Sequence, residues 1–235
     1  MSSELKLGFV GFGEAAFHLA KGLRGPALPR IQAYDIHTHT RGRGEKIQQR
    51  ASEVEVVLCE SNAQLAAECD VLLATVTASS ALEAAEQNAP HLTDKHLYAD
   101  LNSVSPDLKR SIGQLVEAQG ARFVEVAIML PVPPHGHRVP MFLGGAHAQA
   151  LVDLLAPFGM NLEIISDQIG AASATKMCRS IIVKGLEALM FECVLGAVPY
   201  GADERVFATL EEAMPGMNWR PTFSSAREDF SPTRR

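Results

Sequence analysis

Up to about residue 165, short apolar runs alternate with longer stretches in which apolar residues recur at helical spacing. The runs predict strands over 5–10, 31–34, 55–58, 71–75, 96–100 and 123–127, with weaker ones over 141–143 and 162–165. The stretches between them predict helices over 14–23, 62–68, 80–87, 106–119 and 148–155. Strand and helix in regular succession are the pattern of a doubly wound α/β sheet. Ser105-Pro106 marks one helix start, a serine cap followed by a proline whose missing N–H has no helical partner to lose. From about Ile169 the strand pattern stops, and a long helix is predicted to run to roughly Val198, where Pro199 and Gly201 break it. A domain boundary is therefore expected at Ser166-Asp167, dividing an α/β unit (1–166) from an all-helical, shortened unit (167–235). The proline-dense segment 130–136 predicts a stiff irregular loop. The polar stretch from Arg220 onward predicts a frayed tail.

Composition narrows the class of protein. The 235 residues are 47% hydrophobic and 20% charged, which fits a globular protein with a core and not a disordered chain. A net charge of −6 gives no general attraction to phosphate backbones or anionic lipid, so neither nucleic acid nor membrane is an expected partner. The apolar segment 181–198 is interrupted by Lys184, Glu187 and Glu192, which suits a buried helix better than a membrane span. Residues 1–6 lack the basic-then-apolar pattern of a leader, and the four cysteines have neither Cys-x-x-Cys nor metal spacing. Reduced thiols in a cytoplasmic protein are expected. The pairs His37/His39 and His135/His137 have no matching third ligand, so no metal is expected.

The chemistry concentrates at the first strand. It leads into Gly11-x-Gly13-x-x-Ala16 and then an amphipathic helix. In such a turn the first glycine permits the tight bend, the second lets backbone approach a pyrophosphate, and the small third residue lets helix and strand pack closely. The helix start then offers N–H groups and positive dipole to phosphates. Gly11, Phe12, Gly13, Glu14 and Ala15 are thus the expected pyrophosphate contacts. Asp35 closes the second strand, where its carboxylate can accept from both ribose hydroxyls. Its charge favours NAD over NADP, although Arg41 and Arg43 lie just beyond, in what reads as a solvated loop. Thr75 and Val76, at the end of the fourth strand, are expected to line the adenosine side.

Further motifs follow in order: Asp100-Leu101-Asn102-Ser103-Val104-Ser105-Pro106, then Gly144-Gly145, then Gly170 through Lys176 to Ser180. With the glycine turn they resemble the β-hydroxyacid and 6-phosphogluconate dehydrogenase-like superfamily over 5–216, closest to its phosphogluconate dehydrogenase-like NAD-binding proteins. The resemblance implies hydride transfer between NAD(P) and the secondary alcohol of a hydroxy acid or sugar acid. It also implies Lys176 as the general acid/base, and Asn102, Ser103 and Ser180 as substrate contacts. Proton abstraction by a lysine needs burial or nearby positive charge to bring its pKa down. Ser180 stands where the family commonly has asparagine. Residues 128–134 replace the proline-valine-serine-glycine-glycine segment that holds a substrate carboxylate in many members. The expected partners are a small-molecule substrate and a second copy of the chain, because the short helical unit has too much apolar surface to bury alone. The rival expectation is a non-catalytic NAD(P)H sensor or scaffold.

Overall fold

In the computed structural model, which describes residues 5–26, 28 and 30–221, the elements run β1 (Leu7–Val10), α1 (Glu14–Leu23), β2 (Ile31–Tyr34), α2 (Arg43–Glu53), β3 (Val57–Leu58), α3 (Asn62–Glu68), β4 (Val71–Ala74), α4 (Ala81–Asn88) and β5 (Leu97–Asp100). They continue as α5 (Pro106–Glu117), β6 (Arg122–Ile128), α6 (Val132–His135), β7 (Met141–Gly144), α7 (Ala148–Leu155), β8 (Leu162–Ser166), α8 (Ala171–Ala197) and α9 (Asp203–Ala213). Every predicted strand forms and joins one sheet, ordered β3-β2-β1-β4-β5-β6-β7-β8. All neighbours pair in parallel except β6 and β7, which are antiparallel. The order reverses direction between β1 and β4, and the crevice at such a switch point is where open α/β sheets bind ligands.

Both faces of the sheet are apolar, as a sheet covered on both sides requires. Leu7, Phe9, Val71, Leu73, Leu97 and Val124 face a core shared with α1, α2 and α7. Val10, Leu72, Tyr98 and Phe123 face a second core shared with α3, α4 and α5. Helices α1, α3 and α7 start and stop where the hydrophobic pattern predicts, and Ser105 caps α5 by accepting from Leu108 N.

Three elements depart from expectation. Helix α2 replaces the expected loop after Asp35, and it buries only Gly44, Ile47 and Ala51, a stripe too sparse to register as helical periodicity. The proline segment folds its middle into the single turn α6, with Val132 buried beneath it. Strand β3 is shorter than predicted because Glu55 takes a left-handed conformation (φ 53°) just before it.

The chain divides into two compact units, Met1–Lys176 and Met177–Arg235, a division that falls inside α8 and beyond Ser166-Asp167. The physical reason is a buried carboxylate. Glu125 of β6 accepts from Gly170 N at 2.5 Å and from Ser173 N at 2.7 Å, which makes the first turn of α8 part of the sheet unit. The second unit has a small core of Met190, Val194, Phe207 and Trp219. Trp219 Nε1 donates to Leu210 O, and Arg220 pairs with Glu204 and Glu211. Ile181, Ile182, Leu189, Leu195 and Tyr200 of this unit are exposed. The remainder of the expected tail, from 222, lies outside the described residues. No helix among the described residues is long and apolar enough to cross a membrane.

Candidate active site

At the end of β1 the backbone turns sharply on Gly11, which has φ +83°, a conformation that side-chain-bearing residues rarely adopt. A Cβ there would also lie 2.7 Å from Val76 Cγ1. Gly11 N donates to Tyr34 O and Thr75 Oγ1 donates to Gly11 O, each at 2.8 Å, so β2 and β4 clamp the turn from both sides. Gly13 has a different reason to be glycine. Its backbone is extended, and a Cβ would meet no atom within 4 Å. The open space in front of it is what the close approach of a ligand needs. Gly13 also starts α1 with no side-chain cap, which leaves the first-turn N–H groups available to an anion.

Asp35 sits immediately after β2 and fixes the same turn. Its Oδ2 accepts from Phe12 N and its Oδ1 from His37 N, both at 2.8 Å. Each carboxylate oxygen retains a second acceptor site, enough for the two hydroxyls of a ribose. These groups border a cleft of about 700 Å³ at the switch point, a size that suits a small-molecule or cofactor site. Gly11, Gly13, Glu14, Ala15, Asp35, Thr75 and Val76 all line it. Phe12 does not. Its ring is wholly buried in the core and its N–H is taken by Asp35. Arg43 lines the cleft as the first residue of α2, while Arg41 does not. The open approach at Gly13, the uncapped helix start and the Asp35 carboxylate on the same cleft wall together fit a dinucleotide.

Of the remaining expected residues, Asn102 belongs to a buried charge cluster at the end of β5. Lys109, almost wholly buried on α5, donates to Asp100 O at 2.6 Å and to Val126 O at 3.2 Å, and lies 3.3 Å from Asp100 Oδ2. Asp100 Oδ1 accepts from Asn102 N at 3.0 Å and from Asn102 Nδ2 at 2.5 Å. Asn102 Oδ1 is buried with no partner among the described residues, so the carboxamide is held with an unused acceptor. Ser103, next along, is exposed. Lys176 is half-buried, and burial first, then the like charge of Lys109, pulls its pKa below the usual lysine value. Burial also lowers Lys109, against the opposing pull of Asp100 and Glu125. Ser180 lies in the second unit, half-buried.

Sequence reasoning missed Lys109 and Glu125. Lys109 stands on the same α5 stripe as the buried Ile112, Gly113 and Val116, and a lysine on an apolar stripe was the available signal. Glu125 lies within a buried strand, which was the corresponding signal there. Two of the four cysteines are buried, and burial raises the Cys59 thiol to about 11 and the Cys69 thiol to about 12.

A strand-turn-helix cradle at the switch point of a doubly wound sheet defines a dinucleotide-binding protein. The family model for the NAD binding domain of 6-phosphogluconate dehydrogenase matches residues 6–129, and the chain belongs to that family. A conserved hypothetical protein of Sinorhizobium meliloti is 36% identical in sequence, with TM-score 0.78, over 94% of this chain and 73% of that one. A conserved protein of unknown function, described as structurally similar to 3-hydroxyacid dehydrogenases, is 31% identical with TM-score 0.77, over 96% and 82%. The mitochondrial 3-hydroxyisobutyrate dehydrogenase of Drosophila melanogaster is 24% identical across 91% of this chain, which spans 64% of that enzyme's length. The fold is thus that of a hydroxyacid dehydrogenase-like NAD-binding oxidoreductase.

Proposed function

We propose that the protein transfers hydride between NAD(P) and the secondary alcohol of a hydroxy acid or sugar acid, with Lys176 moving the proton. The observation that carries this reading is the environment of Lys176. It is a half-buried lysine beside a second, fully buried one, on a helix whose first turn is bonded to the sheet. Burial and like charge favour the neutral amine, the form able to take the hydroxyl proton. In the reverse direction the ammonium returns that proton to the forming alcohol. A bound nicotinamide would supply the hydride acceptor. The N–H groups at the start of α1 would hold the pyrophosphate, and Asp35 the ribose. Asn102, oriented by Asp100, offers its free carboxamide oxygen to a hydroxyl donor, with Ser103 and Ser180 as further polar contacts.

The Asp35 carboxylate favours NAD, because a ribose 2′-phosphate would meet its negative charge. Arg43 is the cation on the cleft wall placed to offset that repulsion. The exposed apolar residues of the second unit support a homodimer built through α8 and α9. The decisive experiment is a panel of hydroxy acids and sugar acids, run with NAD and with NADP and followed by absorbance of the reduced cofactor. Turnover of at least one member, faster with NAD, is expected. A protein that binds NAD yet leaves every member unchanged would turn the assignment toward a dinucleotide sensor.

A further inference from the structure

The Gly144-Gly145 pair at the end of β7 takes no part in the dinucleotide cleft. It makes room for something else. A Cβ on Gly144 would lie 2.8 Å from Glu125 Oε2 and 2.9 Å from Gln168 O, and one on Gly145 would lie 3.4 Å from Ile169 Cγ1. The space so cleared holds the wholly buried Glu125 carboxylate, with Gly170 N and Ser173 N donating to its two oxygens. Polar side chains stand closer along the chain and are used otherwise: Ser166 Oγ accepts from Gln168 N, and Asp167 Oδ1 from Gln168 Nε2. A short side chain from that loop could have started α8 without burying a charge, which is unfavourable in itself.

What an anchor in the middle of the sheet adds is placement. Lys176 stands three residues beyond Ser173, less than one helical turn, so two bonds to a fixed strand leave its backbone little freedom. Both bonds need the ionised carboxylate. A carboxamide in its place would turn an NH2 toward one of the two N–H groups, donor against donor. We propose that Glu125, seated in the space left by Gly144, is a positioning residue for catalysis that holds Lys176 at the reacting proton. The kinetic consequence rests on the acid/base role proposed for Lys176, while the effect on the lysine itself does not.

The test reads Lys176 directly. Competitive labelling of the full chain with acetic anhydride, followed by mass spectrometry across pH, titrates that one amine without any substrate. In Glu125→Gln the amine should titrate at higher pH, because a loosened first turn weakens both the burial and the Lys109 charge that hold it down. On a substrate from the panel, kcat should fall about 10- to 100-fold, the loss expected when a reacting group is misplaced by about 1 Å, with KM for NAD little changed. Gly144→Ala keeps the carboxylate but intrudes on it, should act in the same direction, and decides the matter if Glu125→Gln does not fold. Leu155→Ala, in the core beside α7, is the control: it should lower stability and leave the Lys176 titration in place. An unchanged Lys176 titration in the variants at 125 and 144 overturns the proposal, as does a fall in kcat without that shift, or an equal shift in Leu155→Ala. Full turnover by Lys176→Ala would instead remove the acid/base reading, and the labelling would still decide whether Glu125 places the lysine.

Discussion

In the first unit the alternate residues of each strand enter two separate cores, Leu7 and Phe9 on one face and Val10 and Leu72 on the other, with helices over both. In the second unit four of the described residues make the core, while Ile181 is 71% exposed and Leu189 and Leu195 are each 64% exposed. The first unit satisfies its own apolar surface and holds its polar groups in place from behind, as Glu125 and Asp100 show. The second unit has more apolar surface than core. One region buries its apolar side chains on both faces of a sheet, and the other leaves several large ones exposed among the described residues.

The two lysines of α8 give the sharpest contrast, since Lys176 falls in the first unit and Lys184 in the second. Lys176→Ala should lower turnover by about a hundredfold to ten-thousandfold, the usual contribution of a positioned proton-transfer group. NADH affinity, measured by fluorescence, should change little. Lys184→Ala, which breaks an ion pair with Glu187, should cost far less. Equal losses in the two variants would mean that the proton travels by another group.

Stability should divide in the same way. Phe123, fully buried on β6, should cost about 3–5 kcal/mol when cut to alanine, in urea denaturation. Ile181→Ala should lie within about 0.5 kcal/mol at protein concentrations too low for association. A large loss at Ile181 under those conditions would show that the second unit is packed like the first.

Association tests what covers the helices. Ile181→Glu combined with Leu189→Glu should turn a dimer into a monomer by light scattering, with NADH binding retained. A clean monomer for the unaltered protein at micromolar concentration would remove the contrast altogether.

The smallest effect expected is on pH. In the proposed reaction oxidation needs neutral Lys176, so its rate should rise with pH as the proton leaves, along a limb lying below the ordinary lysine value of 10.5. Lys109→Met removes the neighbouring positive charge, and the limb should move upward. An unmoved limb would show that burial alone sets the lysine.

Much of this was legible in the sequence because it is local. The glycine turn, Asp35 at a strand end and the serine-proline helix start each declare themselves within a few residues, and all stand where the pattern places them. Strands with two buried faces are nearly as plain. Helix α2 was not, because a mostly polar stretch that buries a glycine, one isoleucine and one alanine has almost no periodicity. The role of Phe12 turned on which way one residue faces, and Asp35, twenty-odd positions away, decides it. Lys109 and Glu125 were hidden for a related reason. A buried lysine and a buried carboxylate acquire meaning only from partners that tertiary structure brings near.

The bond from Glu125 to the start of α8 also bears on how the chain tolerates insertions and deletions. The carboxylate holds Gly170 N and Ser173 N, so the helix takes its phase from the sheet and not from the loop before it. A residue added among 167–169 would be absorbed as slack, and Lys176 would keep its bearing. A residue added between Ser173 and Lys176 would turn the lysine by about 100° around the helix axis, the angle between successive residues, and carry it off its face. Length variation among relatives should therefore collect on the near side of that carboxylate and be purged from the far side.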